Sequence, residues 1–439
     1  MIKQLKSYIK HLIKCGRIYK SYVSFKSKKY IFSVTCGQTI SKNDAISDYI
    51  EHTSVGVRGI NLIIKCIGAD SDSIINDLLK TAYNKKQYDC ILNESSLRNT
   101  IEHKKSSVFN CTQWKNLSFM ANYLGLFQVS YALRKKVIEY LYGKNINNMS
   151  NDELCDLFRV ALDQNDYKIA KKAISKLFGI GIGLFEEAKK AQLFLDLVCN
   201  TDKKIKNANK IYTNDDKLFA EYVKDKRIAI VGAAYPKEKK GNEIDEYDLV
   251  VRLNYFGEAH LADSEYLGKK TNIAYYSGLT ETGKKLLHQK ERDFIYDLDF
   301  IVQKSKLNVL SISGVKERLA YLFDRFTFQG CLNMMQIVVL DLLMFDIKEI
   351  KIFNIDFFLN KCLHYDGYYF LGGAPNIKTV TPSLAYHDVI TQINIIRNLW
   401  RNNACNVDNN VEKILKMSNE SIMSEYSKLF SHPQPPVIL

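Results

Sequence analysis

Two periods of apolar residues divide the chain. In the first half they recur every three or four residues, the period of a helix with one buried face. The stretches "WKNLSFMANYLGLFQVSYALRKKVIEYLYG" (114–143) and "SNDELCDLFRVALDQNDYKIAKKAISKLFG" (150–179) both read this way, the second as a helical hairpin. Ser150 and Glu153 stand at capping-box spacing, which predicts a helix start. No clean period supports a repeat array. A lysine-rich polar stretch, "NTDKKIKNANKIYTNDDK" (200–217), ends this half. Beyond it, short β-branched runs alternate with helical ones: "RIAIVG", "DLVVRLN", "TNIAYYSG", "LDFIVQ", "LNVLSIS" and "IKIFNID". That alternation predicts a mainly parallel sheet covered by helices on both faces. The expected organisation is a mostly helical region over 1–205, with a docking role, followed by a Rossmann-like α/β domain over 206–439.

Composition narrows the picture. A chain of 439 residues is long enough for two domains, and an apolar fraction of 46% supplies a folded core. No window is apolar enough to span a bilayer, and the start "MIKQLKSYIKHLIK" lacks the form of a secretory signal. The ten cysteines are scattered without CxxC pairs or zinc spacing, which points to reduced thiols and a cytoplasmic protein. The net charge of +14 is uneven, because no acidic residue precedes Asp44. Ile2, Leu5, Ile9, Leu12 and Ile13 recur at helical spacing among the lysines. Residues 1–30 therefore suit either the anionic inner face of a membrane, as a peripheral attachment, or packing on their own domain. No nucleic-acid-binding signature accompanies the charge, so nucleic acid is not an expected partner. Homo-oligomerisation stays open.

The turn at Val231-Gly232 ends a strand at the carboxyl edge of the expected sheet, a usual ligand position. It lacks both GxGxxG and GxxxxGK[ST], so neither a dinucleotide fingerprint nor a P-loop is present. Asp297-Leu298-Asp299 and Asp70-Ser71-Asp72 match a DxD pattern. The first reads as the border of a strand and the second as a turn, and no metal is expected.

The segment that follows Gly232 carries a resemblance. "IDEYDLVVRLN" (244–254) and "EYLGKKTNIAYYSG" (265–278), then "RFTFQGCLNMMQIVVLDLLMFDIKEIKIFNIDFF" (325–358) and "AYHDVITQINIIRNL" (385–399), occur in the order of bacterial lipooligosaccharide sialyltransferase motifs. A fainter likeness links them to the animal sialylmotif enzymes. Together the motifs span roughly the last half of the chain. The resemblance implies a single nucleotide-binding domain of variant GT-A type. It also implies inverting, metal-independent transfer of sialic acid from cytidine monophosphate–sialic acid (CMP-sialic acid) to a hydroxyl of a glycan or glycolipid, such as a galactose-ended surface glycan. No cofactor beyond the donor is expected. His387 then corresponds to the catalytic base, and His364 and Tyr365 to the segment that assists the leaving phosphate. Gly232, Ala233, Asn254, Ser277, Gly278, Thr327, Gln329, Gly330, Asp356 and Phe358 correspond to the donor site.

Chemistry fits these roles. The transfer needs a held phosphate, a proton acceptor for the incoming hydroxyl and support for separating charge. His387 is expected at the start of a helix with Ile390, Ile393, Ile396 and Trp400 as its buried stripe. The positive helix end disfavours imidazolium and keeps a neutral base near pH 7. Gly330 is expected to start a helix whose free N–H groups welcome an anion. The chain departs from the bacterial motif at Ala233 (asparagine there), at Gln329 (serine or threonine) and at Phe358 (tyrosine). Each change alters a polar contact, which motivates two alternatives. One is another CMP-linked acid such as Kdo or a different nonulosonic acid; the other is a degenerate transferase acting as a scaffold.

Overall fold

A computed structural model of the chain describes residues 90–123, 125–178, 182–255, 257, 264–277, 297–304, 315–360, 384 and 387–430. The basic start, Asp70-Ser71-Asp72, the run "LNVLSIS", Gly278, His364 and Tyr365 lie outside them.

The β-branched runs form strands, and those strands are apolar on both faces. β1 (Arg227–Val231), β2 (Leu249–Leu253), β3 (Ile273–Tyr276) and β4 (Phe300–Gln303) fall on four of the expected runs, and β6 (Glu349–Phe353) on a fifth. β5 (Lys316–Leu319) and the two-residue β7 (Asn406–Val407) were not legible as strands, being polar and edge-exposed. Among the described residues the seven strands are all parallel, in the order β5-β4-β3-β2-β1-β6-β7. Parallel pairing demands helical crossovers, and helices surround the sheet, as expected of a Rossmann-like α/β fold. The order reverses between β1 and β6, so their carboxyl ends flank a topological switch point.

Among the described residues eight α-helices precede the sheet, the first six being α1 (Cys90–Glu102), α2 (Cys111–Tyr123), α3 (Phe127–Tyr142), α4 (Asn151–Asp163), α5 (Tyr167–Phe178) and α6 (Ile182–Val198). The apolar stretch 114–143 is two helices rather than one, broken at Gly125, whose φ of 75° is left-handed. α4 starts where expected: Ser150 Oγ accepts from the Glu153 N–H at 3.3 Å, and Glu153 accepts from the Ser150 N–H at 3.1 Å. α4 and α5 pack as the expected hairpin. Then come α7 (Lys203–Asn209), α8 (Asn214–Val223), α9 (Gly241–Asp245), α10 (Ser264–Leu267), α11 (Met334–Leu342), α12 (Val389–Arg401), α13 (Asn409–Lys416) and α14 (Asn419–Leu429). Among the described residues no helix is long and apolar enough to cross a membrane.

One apolar core runs from Leu97 in α1 to Phe430 after α14, through the sheet. α12 is its axis. Packed against α4, α6, α11 and α13, it is buried at every residue from Val389 to Leu399 rather than along one stripe, and Trp400 is only half-buried. Its polar residues meet partners in the helical region: Asn394 Nδ2 donates to Asp163 Oδ1 at 2.9 Å, and Asn398 Nδ2 to the Leu162 carbonyl at 3.0 Å. Polar atoms buried this way stabilise the junction only while paired.

Gly232 is fixed by packing. A Cβ there would stand 2.3 Å from Ile355 Cγ2 and 2.4 Å from the Asn354 carbonyl, closer than real contacts allow. We expect Gly232→Ala to cost about 1–3 kcal/mol by forcing β1 and β6 apart. Urea unfolding measures this; an unchanged midpoint would mean the two strand ends separate freely.

Candidate functional site

The carboxyl edge of the sheet gathers most of the sequence-predicted site residues that the structure describes. It is also where the backbone is strained. Nine described non-glycine residues have positive φ, and four of them, Asn254, Asn354, Phe357 and Phe358, follow β2 or β6 at this edge. A left-handed phenylalanine costs about 1–2 kcal/mol, and such strain concentrates at functional sites.

Asn254 follows β2 with φ 46°. Its Oδ1 accepts from Ser277 N at 3.1 Å and lies 3.2 Å from Ser277 Oγ, so the ends of β2 and β3 are joined. The motif residues before it serve the scaffold. Asp245 accepts from the Lys269 and Lys270 N–H groups at 2.9 Å, and Asp248 from the Arg227 N–H at 2.7 Å. Buried Arg252 donates from Nη2 to the Leu267 carbonyl at 2.8 Å and from Nε to Thr271 Oγ1 at 2.8 Å. These contacts fasten the "YLGKK" loop and the amino ends of β1, β2 and β3, opposite the carboxyl edge.

The glycine turn is engaged with β6. Gly232 N–H donates to the Phe353 carbonyl at 2.8 Å and Ala234 N–H to the Asn354 carbonyl at 3.2 Å. Those two amides therefore do not cradle a phosphate. Half-buried Ala233 packs between them against the β1–β2 apolar cluster.

Gly330 differs from expectation. It is a buried left-handed turn residue with φ 72°, and α11 starts later, at Met334, with Asn333 as N-cap. The physical reason is the local polar pairing of Thr327, whose buried hydroxyl lies 2.8 Å from the Asp324 carbonyl and 3.0 Å from the Gly330 carbonyl. Gln329 is buried too and donates to the Lys115 carbonyl of α2 at 2.8 Å. Thr327 and Gln329 thus brace the turn from behind.

His387 lies against this turn. Its Nδ1 is 3.1 Å from the Cys331 carbonyl, an acceptor only, so Nδ1 carries the proton and the neutral ring keeps its lone pair on Nε2. Burial, with the charge of Lys304 adding to it, pushes the imidazole down to about 4, against the pull of the Cys331 hydrogen bond. Gln392 of α12 donates to the Cys331 carbonyl at 3.1 Å and to the His387 carbonyl, and its Oε1 accepts from Asn333 N–H at 2.9 Å. The imidazole, the glycine turn and α12 are locked together. Lys304, which follows β4, was missed by sequence reasoning because no motif surrounds it.

At the switch point a cavity of about 140 Å³ opens between the turn after β1, the loop after β6 and α13. Lys237, Asn354, Asp356, Asp408, Asn410 and Lys413 contribute polar groups to its lining. Only Asp356 was expected; Lys237 lies in a loop, Asn410 and Lys413 stand on the polar side of α13 without a motif, and Asn354 alone carried a signal, as a strand-end asparagine. Phe358 is half-buried against the core and donates its N–H to Asp356 Oδ1 at 2.9 Å. Asp356 Oδ2 is buried with no hydrogen-bond partner among the described residues. Burial pushes this carboxyl up to about 6 despite that N–H and nearby Lys237.

β4, whose end bears Lys304, is three strands from β1, which at about 4.8 Å per strand separates their ends by about 14 Å. A ligand using both His387 and the cavity must lie along the edge. Asp297 and Asp299 are exposed at the start of β4, and Asp299 accepts from Tyr222 and Asn272 as a strand border. No group of three or more His, Cys, Asp or Glu side chains with metal-site geometry occurs among the described residues.

No protein-family model, curated protein or solved structure matches the chain.

Asp356 gives a pH prediction. Unfolded, its carboxyl ionises near 3.8; folded, it holds its proton to about 6. Folding therefore takes up a proton between those values, and stability falls as pH rises through that window and stays lower above it. Asp356→Asn should raise stability at pH 7.5 by on the order of 2 kcal/mol and leave it unchanged at pH 3.5. Urea melts at both pH values decide; an equal effect at both would contradict this account.

Proposed function

We propose that the protein is an inverting glycosyltransferase that moves sialic acid from CMP-sialic acid to a hydroxyl of a glycan or glycolipid acceptor. The observation that carries this reading is His387. It is a neutral imidazole with Nδ1–H committed to the Cys331 carbonyl, beside the carboxyl edge of a parallel sheet. The order of the motifs around it supplies the donor class.

In this reading Nε2 takes the proton of the acceptor hydroxyl as its oxygen attacks the anomeric carbon. The bond from that carbon to the phosphate oxygen breaks on the opposite face, and its electron pair leaves with CMP. Configuration inverts because one displacement occurs. Lys304, close enough to depress the imidazole, offsets negative charge on the sugar carboxylate or the leaving phosphate. The nucleotide lies along the edge past Asn254 and Ser277 toward the switch-point crevice. No step uses a metal.

Phe358 favours a second reading. Its ring rests on the core and offers no hydroxyl to the donor, which suits a different CMP-linked acid such as Kdo or another nonulosonic acid.

Turnover of a panel of CMP-linked acids with galactose-ended acceptors, with and without EDTA, tests both readings. His387→Gln should lower kcat by about 100-fold or more while CMP still binds. The acid limb of kcat/KM should fall near pH 4 rather than near 6.5, because the base protonates only there. Full activity in His387→Gln, or an acid limb at pH 6.5, would remove the histidine from the mechanism. Absence of both turnover and calorimetric CMP binding would leave the fold as a scaffold.

A further inference from the structure

The helical region reaches the base through one side chain. Arg134 of α3 is buried, and its Nη1 donates to both oxygens of Asp388, at 2.9 and 2.7 Å. Nη2 donates to Thr391 Oγ1 at 2.8 Å and pairs with Asp163 Oδ1 of α4 at 2.8 Å. Thr391 Oγ1 in turn donates to Asp388 Oδ2 at 2.6 Å. The guanidinium lies over the Phe328 ring, 3.8 Å from its centre, in the turn that leads to Gly330 and Cys331. One side chain therefore grips α4, the residue after the histidine, the first turn of α12 and the turn whose carbonyl holds the imidazole.

Asp388 needs that grip. It is left-handed, with φ 43°, and makes no side-chain cap to its own helix. It is also buried, and burial raises its carboxyl above the usual range while Arg134 pulls it down. Unassisted, an aspartate in this conformation would relax toward an ordinary N-cap, with its carboxylate on the α12 N–H groups. That relaxation would turn the peptide between His387 and Asp388 and carry the ring off Cys331.

We propose that Arg134 is a positioning residue for His387, which makes α3 and α4 part of the base machinery. The inference deepens the transferase reading and rests on it for its kinetic half only. The charges around the ring give it a spectroscopic half. Lys304 comes from the end of β4, with buried Asp324 near it, while Arg134, Asp163 and Asp388 stand on the α12 side. Neutralising Arg134 leaves two buried carboxylates there and draws a proton onto the imidazole.

The test is histidine-selective carbon-13 NMR of the full chain, with the His387 signal assigned from its loss in His387→Gln. In the unaltered protein His387 should keep the shift of a neutral Nδ1–H ring from pH 8 to pH 5. In Arg134→Met it should titrate at or above pH 6.5, with kcat at least tenfold lower and donor KM within about threefold. Arg134→Lys keeps the charge but loses the fork, so the ring should stay neutral while its Nδ1–H signal shifts. Asp388→Asn, which preserves shape, covers the case in which Arg134→Met does not fold. It removes one of the two carboxylates, so His387 should stay neutral to pH 5 while kcat falls. A His387 signal and titration unchanged in the folded Arg134 variants, or kcat unchanged in Asp388→Asn, would overturn the proposal. Should no CMP-linked donor turn over, the transferase reading fails, and the NMR titrations still decide the role of Arg134.

Discussion

One guanidinium sets the terms for this molecule. Arg134 sits between Asp163 and Asp388 with no room for bulk water, and removing one member of such a group leaves a buried charge uncompensated, at about 3–5 kcal/mol. Those contacts force α3 and α4 onto the first turn of α12. Because α12 is the axis of the core, the helical region and the sheet are bound by the same contacts that orient the histidine. Apolar packing supplies most of the free energy, but it is non-directional. The charged fork supplies the register.

The sheet and the site divide the labour in space. Motif residues Asp245, Asp248 and Arg252 spend their hydrogen bonds on the "YLGKK" loop and the amino ends of the strands, so they fasten the side of the sheet opposite the carboxyl edge. At that carboxyl edge the backbone is left-handed at Asn254, Asn354, Phe357 and Phe358. Rigid strands below and strained turns above form a frame that holds polar groups in place before a ligand arrives.

What could be read in advance follows from range. The runs that became β1, β2, β3, β4 and β6 are local and apolar, and the capping box at Ser150 is local and polar; each declared itself. β5 and β7 did not, because their strand character comes from pairing with β4 and β6 and not from their own residues. Gly330 looked like a helix start, yet the Thr327 hydroxyl and the Asn333 cap moved that start downstream. His387 drew notice through its motif, whereas nothing local marked Arg134, Lys304 or the cavity lysines. Asn394, Asn398 and Thr391 would pass for a solvated helix face, and only the three-dimensional packing shows that they meet α3 and α4.

Sequence separation has a consequence for how the molecule comes into being. Two partners of Arg134, Asp388 and Thr391, are more than 250 positions away, and α14, near the end of the described chain, packs on α3. Contacts of such range form late, after shorter loops have closed. During synthesis the strands can pair while the imidazole still lacks its neighbours, so the Arg134 fork closes only when the last helices have emerged. A chain cut short before Asp388 would retain the residues of every described strand but β7 and leave Arg134 without Asp388 and Thr391.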